Sequence, residues 1–397
     1  MIGRDPLSAE ETMDQTEQIL LQAIQKTLWN NDYIFPDDTD WDAVLQEAER
    51  QSVLGVAAAA VPAEKQREWI NKTTLFTAHF IRILHCQSAL CDLLKANGIP
   101  TVILKGTAAA VYYPTPSQRS LGDIDFIVPQ DLFDQAEVLL ANNGYSVEDD
   151  PKYPRHVDVR KDGISFEMHR FFSDRDCRAN VDPFIFSGMQ HAETGTLYHT
   201  AFPMLPPKEN GLVLLAHIAH HLREGLGLRQ IIDWMLYVDR ELDDSAWESS
   251  FRTAAEQTGL AVLAITVTEM CRMYLGLSDR ITWCKNADKE LCTMLMNSLL
   301  SSGNFGKKRG TGLKVESTVS RLKRRGFRYL QQAGEHNWNA YHKHRWLKPF
   351  AWIYQIGRYA RQGFQAKRKG AKIIEDIGRG KKRSDLYQDL KIGEPKE

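Results

Sequence analysis

The sequence predicts an α/β (α+β) fold: a small mixed sheet flanked by an N-terminal helical region and a C-terminal helical domain. Three observations lead there. Residues 101–128 read as strand, tight turn, short helix, loop and strand, because the β-branched run Thr101-Val102-Ile103-Leu104 stops at Lys105-Gly106-Thr107 and returns as Asp123-Ile124-Asp125-Phe126-Ile127-Val128. Residues 156–169 hold two alternating runs around Lys161-Asp162-Gly163, and Asp-Gly suits a hairpin turn that needs positive φ. Most of the chain before residue 101 and after residue 207 repeats its apolar residues at helical spacing.

Taken in order, residues 8–29 form an amphipathic helix opened by a Ser8-x-x-Glu11 capping box, with Ile19, Leu20, Ala23, Ile24 and Leu28 on one face. A second helix runs over 41–51, and a longer one over 64–96 ends at Asn97-Gly98, a good C-terminal cap ahead of Pro100. This N-terminal region, 1–100, is expected to pack against the sheet. The α/β core spans 101–207 and includes a helix at 130–142; its last part, Phe171 to Pro207, reads as a long irregular connection rich in proline. A helical domain at 208–302 follows, with helices near 228–241, 245–258, 260–276 and 286–301. Composition breaks at 303–310, and 303–397 reads as a basic, mostly helical tail with helices at 319–332 and 347–369 and a disordered last fifteen residues.

Composition excludes several classes. With 43% hydrophobic and 25% charged residues in 397, the chain is an ordinary globular one. Its opening residues are acidic and polar, unlike a signal peptide, and its apolar runs are too short to span a bilayer. Six cysteines without Cys-x-x-Cys spacing argue against structural zinc and a disulfide framework, so a reducing cytoplasm is the expected compartment. No Gly-x-x-x-x-Gly-Lys-Ser/Thr run occurs, which argues against a P-loop enzyme. The net charge of -1 hides an asymmetry: residues 301–397 carry 24 Lys+Arg and 8 Asp+Glu, a balance of +16, against -17 for residues 1–300.

The chemistry concentrates in the core. Side chains alternate along a strand, so Asp123 and Asp125 share a face, and two adjacent carboxylates require a cation between them. Mg²⁺ (or Mn²⁺) suits such oxygen donors together with substrate phosphates. The Gly106-Thr107 turn before a helix offers backbone N–H groups to phosphate. On the second run of the hairpin Ser165, Glu167 and His169 share a face, and Glu167 joins the aspartates if its strand lies beside theirs.

Glycine plus a small hydroxyl residue, then Asp-x-Asp on a strand, then a lone acid on a later strand, resembles the nucleotidyltransferase superfamily of the DNA polymerase β type. More narrowly, LKG, YYP, Arg119 before DIDFIV, Asn143-Gly144-Tyr145, FEMH, HIAHHL and GLRQIIDW resemble, over residues 40–240, the bacterial family labelled uncharacterised nucleotidyltransferases. The usual Gly-Ser of the superfamily is Gly106-Thr107 here, preceded by Lys105. The resemblance implies metal-dependent transfer of a nucleoside monophosphate from a nucleoside triphosphate to an acceptor, with Asp123, Asp125 and Glu167 as catalytic metal ligands. Lys105 and Arg119 flank the site and suit triphosphate charge. Gly106, Thr107, His169, His217, His221 and Arg229 complete the expected nucleotide-binding set, since in that family the His217–His221 helix faces the catalytic domain. For Arg229 the plainer reading is an ion pair with Asp233 one turn on. The acceptor is left open among small molecule, peptide or protein, and anionic polymer. Two further readings stand beside the enzyme: a catalytically inactive binding module, and a protein acting through its tail. That tail is a solvated helical surface, a peripheral contact with the inner membrane surface, or a nucleic-acid contact.

Overall fold

The computed structural model describes residues 13–150, 154–173, 179–222, 225–304, 327–368 and 385–394. The Ser8-x-x-Glu11 box, Cys177, the composition break at 305–310 and the start of the 319–332 helix lie outside them.

Seven strands are described: β1 (Val102–Leu104), β2 (Ile124–Ile127), β3 (Ser146–Glu148), β4 (His156–Lys161), β5 (Ile164–His169), β6 (Glu193–Leu197) and β7 (Thr200–Met204). They form one mixed sheet in the order β3-β4-β5-β2-β1-β7-β6. β2 runs antiparallel to β1 and parallel to β5, and β5 turns back on β4 through Asp162 and Gly163 at φ 50 and 69.

Strand alternation decides which layer covers which face. Ile103, Phe126, Val157, Val159, Phe166 and Met168 share one apolar cluster with Phe80, Ile83, Leu84 and Leu90 of the helix Gln66–Ala96 and with Phe133, Ala136 and Leu140 of the helix Phe133–Asn142. The intervening Val102, Leu104 and Ile127 belong to a second cluster, with Leu212, Leu215, Ile231 and Trp234 of the helices Pro207–His221 and Leu228–Glu241. Asp125, Glu167 and His169 alternate with the first set and therefore sit on the face turned to the helical domain.

Three expectations about organisation are corrected. Residues 171–207 are not an irregular connection: they contain the helix Asp182–Met189 and the β6–β7 hairpin, and β7 pairs in parallel with β1 at Ile103↔Met204. Gly195 and Pro203 hide that hairpin from a propensity reading. A Cβ at Gly195 would lie 2.7 Å from Met204 Sδ, so the strand needs glycine there, and Pro203 is tolerated because β7 meets β1 only at Met204. Secondly, the N-terminal region divides: the helix Gln66–Ala96 packs on the sheet as expected, while the first helices join the helical domain. The helix Gln15–Trp29, capped by Asp14 and Glu17, donates from Trp29 Nε1 to Leu275 O at 2.7 Å and from Gln25 Nε2 to Tyr274 O at 3.0 Å. Thirdly, residues 385–394 are ordered: Leu386, Tyr387, Leu390 and Ile392 are buried in the helical core, and Gly393 N donates to Gly259 O at 3.0 Å.

Because Leu390 is fully buried, Leu390→Ala should lower unfolding free energy by about 2–5 kcal/mol in a denaturant titration. An unchanged midpoint would contradict this docking.

Candidate active site

β1 ends where Lys105 adopts φ 49 and ψ -135, a conformation that costs a non-glycine residue about 1–3 kcal/mol. That turn brings the Lys105 ammonium to 2.6 Å from Asp125 Oδ1 and 5.6 Å from the Phe172 ring centroid. Parallel pairing sets Asp125 directly beside Glu167, and the neighbouring hairpin sets Asp158 beside Glu167 on its other side.

His169 is fully buried, with Nε2 2.9 Å from Asp125 Oδ1. Burial lowers its imidazole to about 4, against the opposing pull of Asp125, so the ring is neutral at pH 7. An ionised carboxylate can only accept, which assigns the proton to Nε2. Burial alone would raise the Asp125 carboxyl; the Lys105 ammonium and the His169 hydrogen bond outweigh it and hold Asp125 well below the usual carboxylate range. Glu167 moves the opposite way. Burial, then the Asp125 and Asp123 charges, push it up to about 8 although Lys105 opposes them. The two carboxyls thus differ as a dyad does, one ionised and one holding its proton for want of more positive charge.

That shortage is what a divalent cation relieves. Donor atoms of Asp125, Glu167 and His169 lie within 4.8 Å of one another; the carboxylate oxygens suit Mg²⁺ or Mn²⁺, while His169 Nε2, whose N–H donates to Asp125, orients that carboxylate. Asp123 lines the same cavity but does not join this tight set. His156, Asp158 and Glu167 form a second such group.

The expected residues largely converge. Lys105, Gly106, Arg119, Asp123, Asp125 and Glu167 line a cavity of ≈ 200 Å³, closed on the helical side by His217, His221 and Arg229. Burial keeps His217 and His221 neutral, their imidazoles well below the ordinary value, with ring centroids 4.6 Å apart. Thr107 and His169 are not on that wall. The Thr107 hydroxyl donates to Gln87 Oε1 at 2.6 Å, inside the protein, and His169 stands behind Asp125. Arg119 reaches the cavity while committed elsewhere: its Nε and Nη2 donate to the two Asp233 oxygens at 2.8 and 2.7 Å, and Tyr113 Oη donates to Oδ1 at 2.8 Å. The partner of Asp233 is therefore Arg119, in place of the expected Arg229, whose Nη1 donates to Ser120 O at 3.2 Å.

Sequence reasoning missed Arg155 and Phe172, which also line the cavity, as does His220. It also missed His156 and Asp158. A two-residue turn at Asp162-Gly163 fixes the register of both strands, so the pairing Asp158↔Glu167 was there to be counted. A second cavity of ≈ 480 Å³ opens along β4 and β5, lined by His79, Asp158, Arg160 and Ser165, and shares Gly122, Asp123, Glu167 and Arg229 with the first.

The profile of a family described as uncharacterised nucleotidyltransferase matches residues 37–276, from the helix Trp41–Gln51 through all seven described strands to the helix Ala261–Leu275. The chain belongs to this family. No curated protein matches it. The family match thus takes in both cavities of this nucleotidyltransferase domain and leaves the basic C-terminal segment outside.

The buried histidines make a pH prediction. The folded-state value of His169, about 4, lies below the ordinary 6.5, so between these values the unfolded chain binds more protons. Stability is complete above about pH 6.5 and is lost as the pH falls toward 4, with His169 contributing at most about 3 kcal/mol and His217 and His221 acting in the same direction. Glu167, raised to about 8, acts in the opposite direction over the same range, so the difference between two proteins is the test: from about pH 7.5 to 4.5 the melting temperature of wild type should fall relative to that of His169→Gln, and a constant difference would contradict a neutral buried imidazole.

Proposed function

We propose that this chain transfers a nucleoside monophosphate from a nucleoside triphosphate to an acceptor, with release of pyrophosphate, in a reaction that requires Mg²⁺ or Mn²⁺. The observation that carries the reading is the pairing of Asp125 with Glu167 on adjacent parallel strands, facing a cavity whose other walls carry Lys105, Arg155 and Arg229. A strip of acid facing a ring of cations suits a triphosphate with its divalent ion, because neither component is stable there alone. Asp125 and Glu167 would hold the ion, with Asp123 reaching it from the cavity wall. The ion supplies charge neutralisation at the phosphates and fixes their orientation. The protein's own part is positional: Lys105 and Arg229 draw the phosphates against the carboxylates, while neutral His217 and His221 cover the site without adding charge.

The shared wall supports a division of labour between the cavities. With the triphosphate in the inner cavity, an acceptor entering the outer one meets it at Asp123, Glu167 and Arg229. An acceptor oxygen, deprotonated to solvent where it is a hydroxyl, attacks the α-phosphorus, the bond to the bridging oxygen breaks, and pyrophosphate leaves with that electron pair; no covalent enzyme intermediate is needed. The outer cavity admits a hydroxyl or phosphate on a small molecule, a peptide or the end of a polymer. Five free cysteines among the described residues support a reducing, cytoplasmic setting.

The test uses each of the four ribonucleoside triphosphates, labelled at the α-phosphate, with a low-molecular-weight cell extract as the acceptor pool. Pyrophosphate and a labelled product should form in Mg²⁺ and not in EDTA, and Asp125→Asn or Glu167→Gln should reduce the rate by at least about 10²-fold. Release of the γ-phosphate alone, or variants as active as wild type, would refute the assignment.

A further inference from the structure

The helix Ala351–Arg368 and the 3₁₀ turn Arg345–Phe350 before it present two unlike sides. The inner side is satisfied. Ala351 is fully buried, Gln355 is 1% exposed and its Oε1 accepts from Asn337 Nδ2 at 3.3 Å, Trp338 stacks on Tyr354 with centroids 5.1 Å apart, and Gln331 Nε2 donates to Lys348 O at 2.7 Å. This segment therefore packs back on the helix at 327–337. The outer side is apolar and uncovered: Trp346, Phe350, Ile353 and Ile356 are 71%, 49%, 49% and 45% exposed. Their spacings of four, three and three residues align them in one stripe. Residues 343–361 hold five Lys or Arg and no Asp or Glu, and Lys343, Arg345, Lys348 and Arg361 are exposed beside the stripe.

We infer that this stripe docks on an anionic lipid surface, lying in the interface and not crossing it. No described helix is long and apolar enough to cross a membrane. Apolar side chains that are costly to leave in water enter the boundary between headgroups and acyl chains, and the flanking cations meet the anionic headgroups. Charge decides among the occupants. A second copy placed stripe against stripe would bring two +16 segments together, which repel. A single-stranded nucleic acid would use the cations and stack bases on Trp346 and Phe350, but Ile353 and Ile356 offer no flat ring and would stay in water. Only a surface both negative and greasy satisfies the whole stripe. The active-site cavities lie in the family-matched domain, upstream of this segment, so the docking is independent of the chemistry proposed for them.

The experiment is flotation of the full chain with vesicles of phosphatidylcholine alone and of phosphatidylcholine with 30% phosphatidylserine (about 30%, an anionic fraction large enough to give a negative surface). Wild type should float with the anionic vesicles, less so at high salt, and stay behind with the neutral ones. Phe350→Ser/Ile353→Ser should lower the partition coefficient at least about tenfold while melting temperature holds, since both side chains are exposed. Failure of wild type to float on anionic vesicles, or equal flotation of the double variant, overturns the inference. Tight binding of wild type to single-stranded polynucleotide with no flotation would assign the segment to nucleic acid instead.

Discussion

The site depends on how the protein tolerates several carboxylates on one face of a sheet. Parallel pairing of β2 with β5 sets Asp125 against Glu167, and nothing in that register keeps both ionised. The ammonium of Lys105, carried in by a strained turn at 2.6 Å, stabilises one of them. Glu167 is left holding a proton up to about pH 8. A divalent ion between the two carboxylates would relieve the repulsion that the proton on Glu167 now relieves. The long helix under the opposite face, the helical domain over the site and the Arg119–Asp233 clamp between them all serve to hold those two strands in register against the cavity.

The carboxylate half of the candidate site was readable because strand alternation and hairpin counting are short-range rules. Asp-x-Asp, the Asp162-Gly163 turn and the lone Glu167 fix which side chains share a face once two strands are assumed neighbours. Long-range commitments were not readable. Thr107 looks like a phosphate contact until Gln87, twenty residues earlier, takes its hydroxyl. Arg119 lines the cavity, yet the tertiary fold commits two of its three guanidinium nitrogens to Asp233, which no local pattern announces. The β6–β7 hairpin was hidden because close packing demanded a glycine at 195, and glycine reads as loop. The terminal segment 385–394 was hidden by its charged surroundings, although Leu386, Leu390 and Ile392 carry the apolar spacing that docks it.

Electrostatics also divides the molecule. Within the matched domain, charge is paired at short range and buried: Lys105 with Asp125, Arg119 with Asp233. Beyond it, charge is unbalanced, +16 across residues 301–397, and among the described residues Lys343, Arg345, Lys348 and Arg361 are exposed, as are the aromatic and aliphatic side chains Trp346, Phe350, Ile353 and Ile356 of the same segment. The first pattern suits binding a small, highly charged ligand. The second suits a broad surface of opposite sign.

The most direct test of the central claim is calorimetric titration of the purified chain with each ribonucleoside triphosphate, in Mg²⁺ and then in EDTA, with Glu167→Gln in parallel. The account predicts saturable binding of at least one nucleotide that weakens at least about tenfold in EDTA and in the variant, because the carboxylates act through the ion. Equal affinity in Mg²⁺ and EDTA, or an unaffected Glu167→Gln, would mean that Asp125 and Glu167 do not form the nucleotide's metal site.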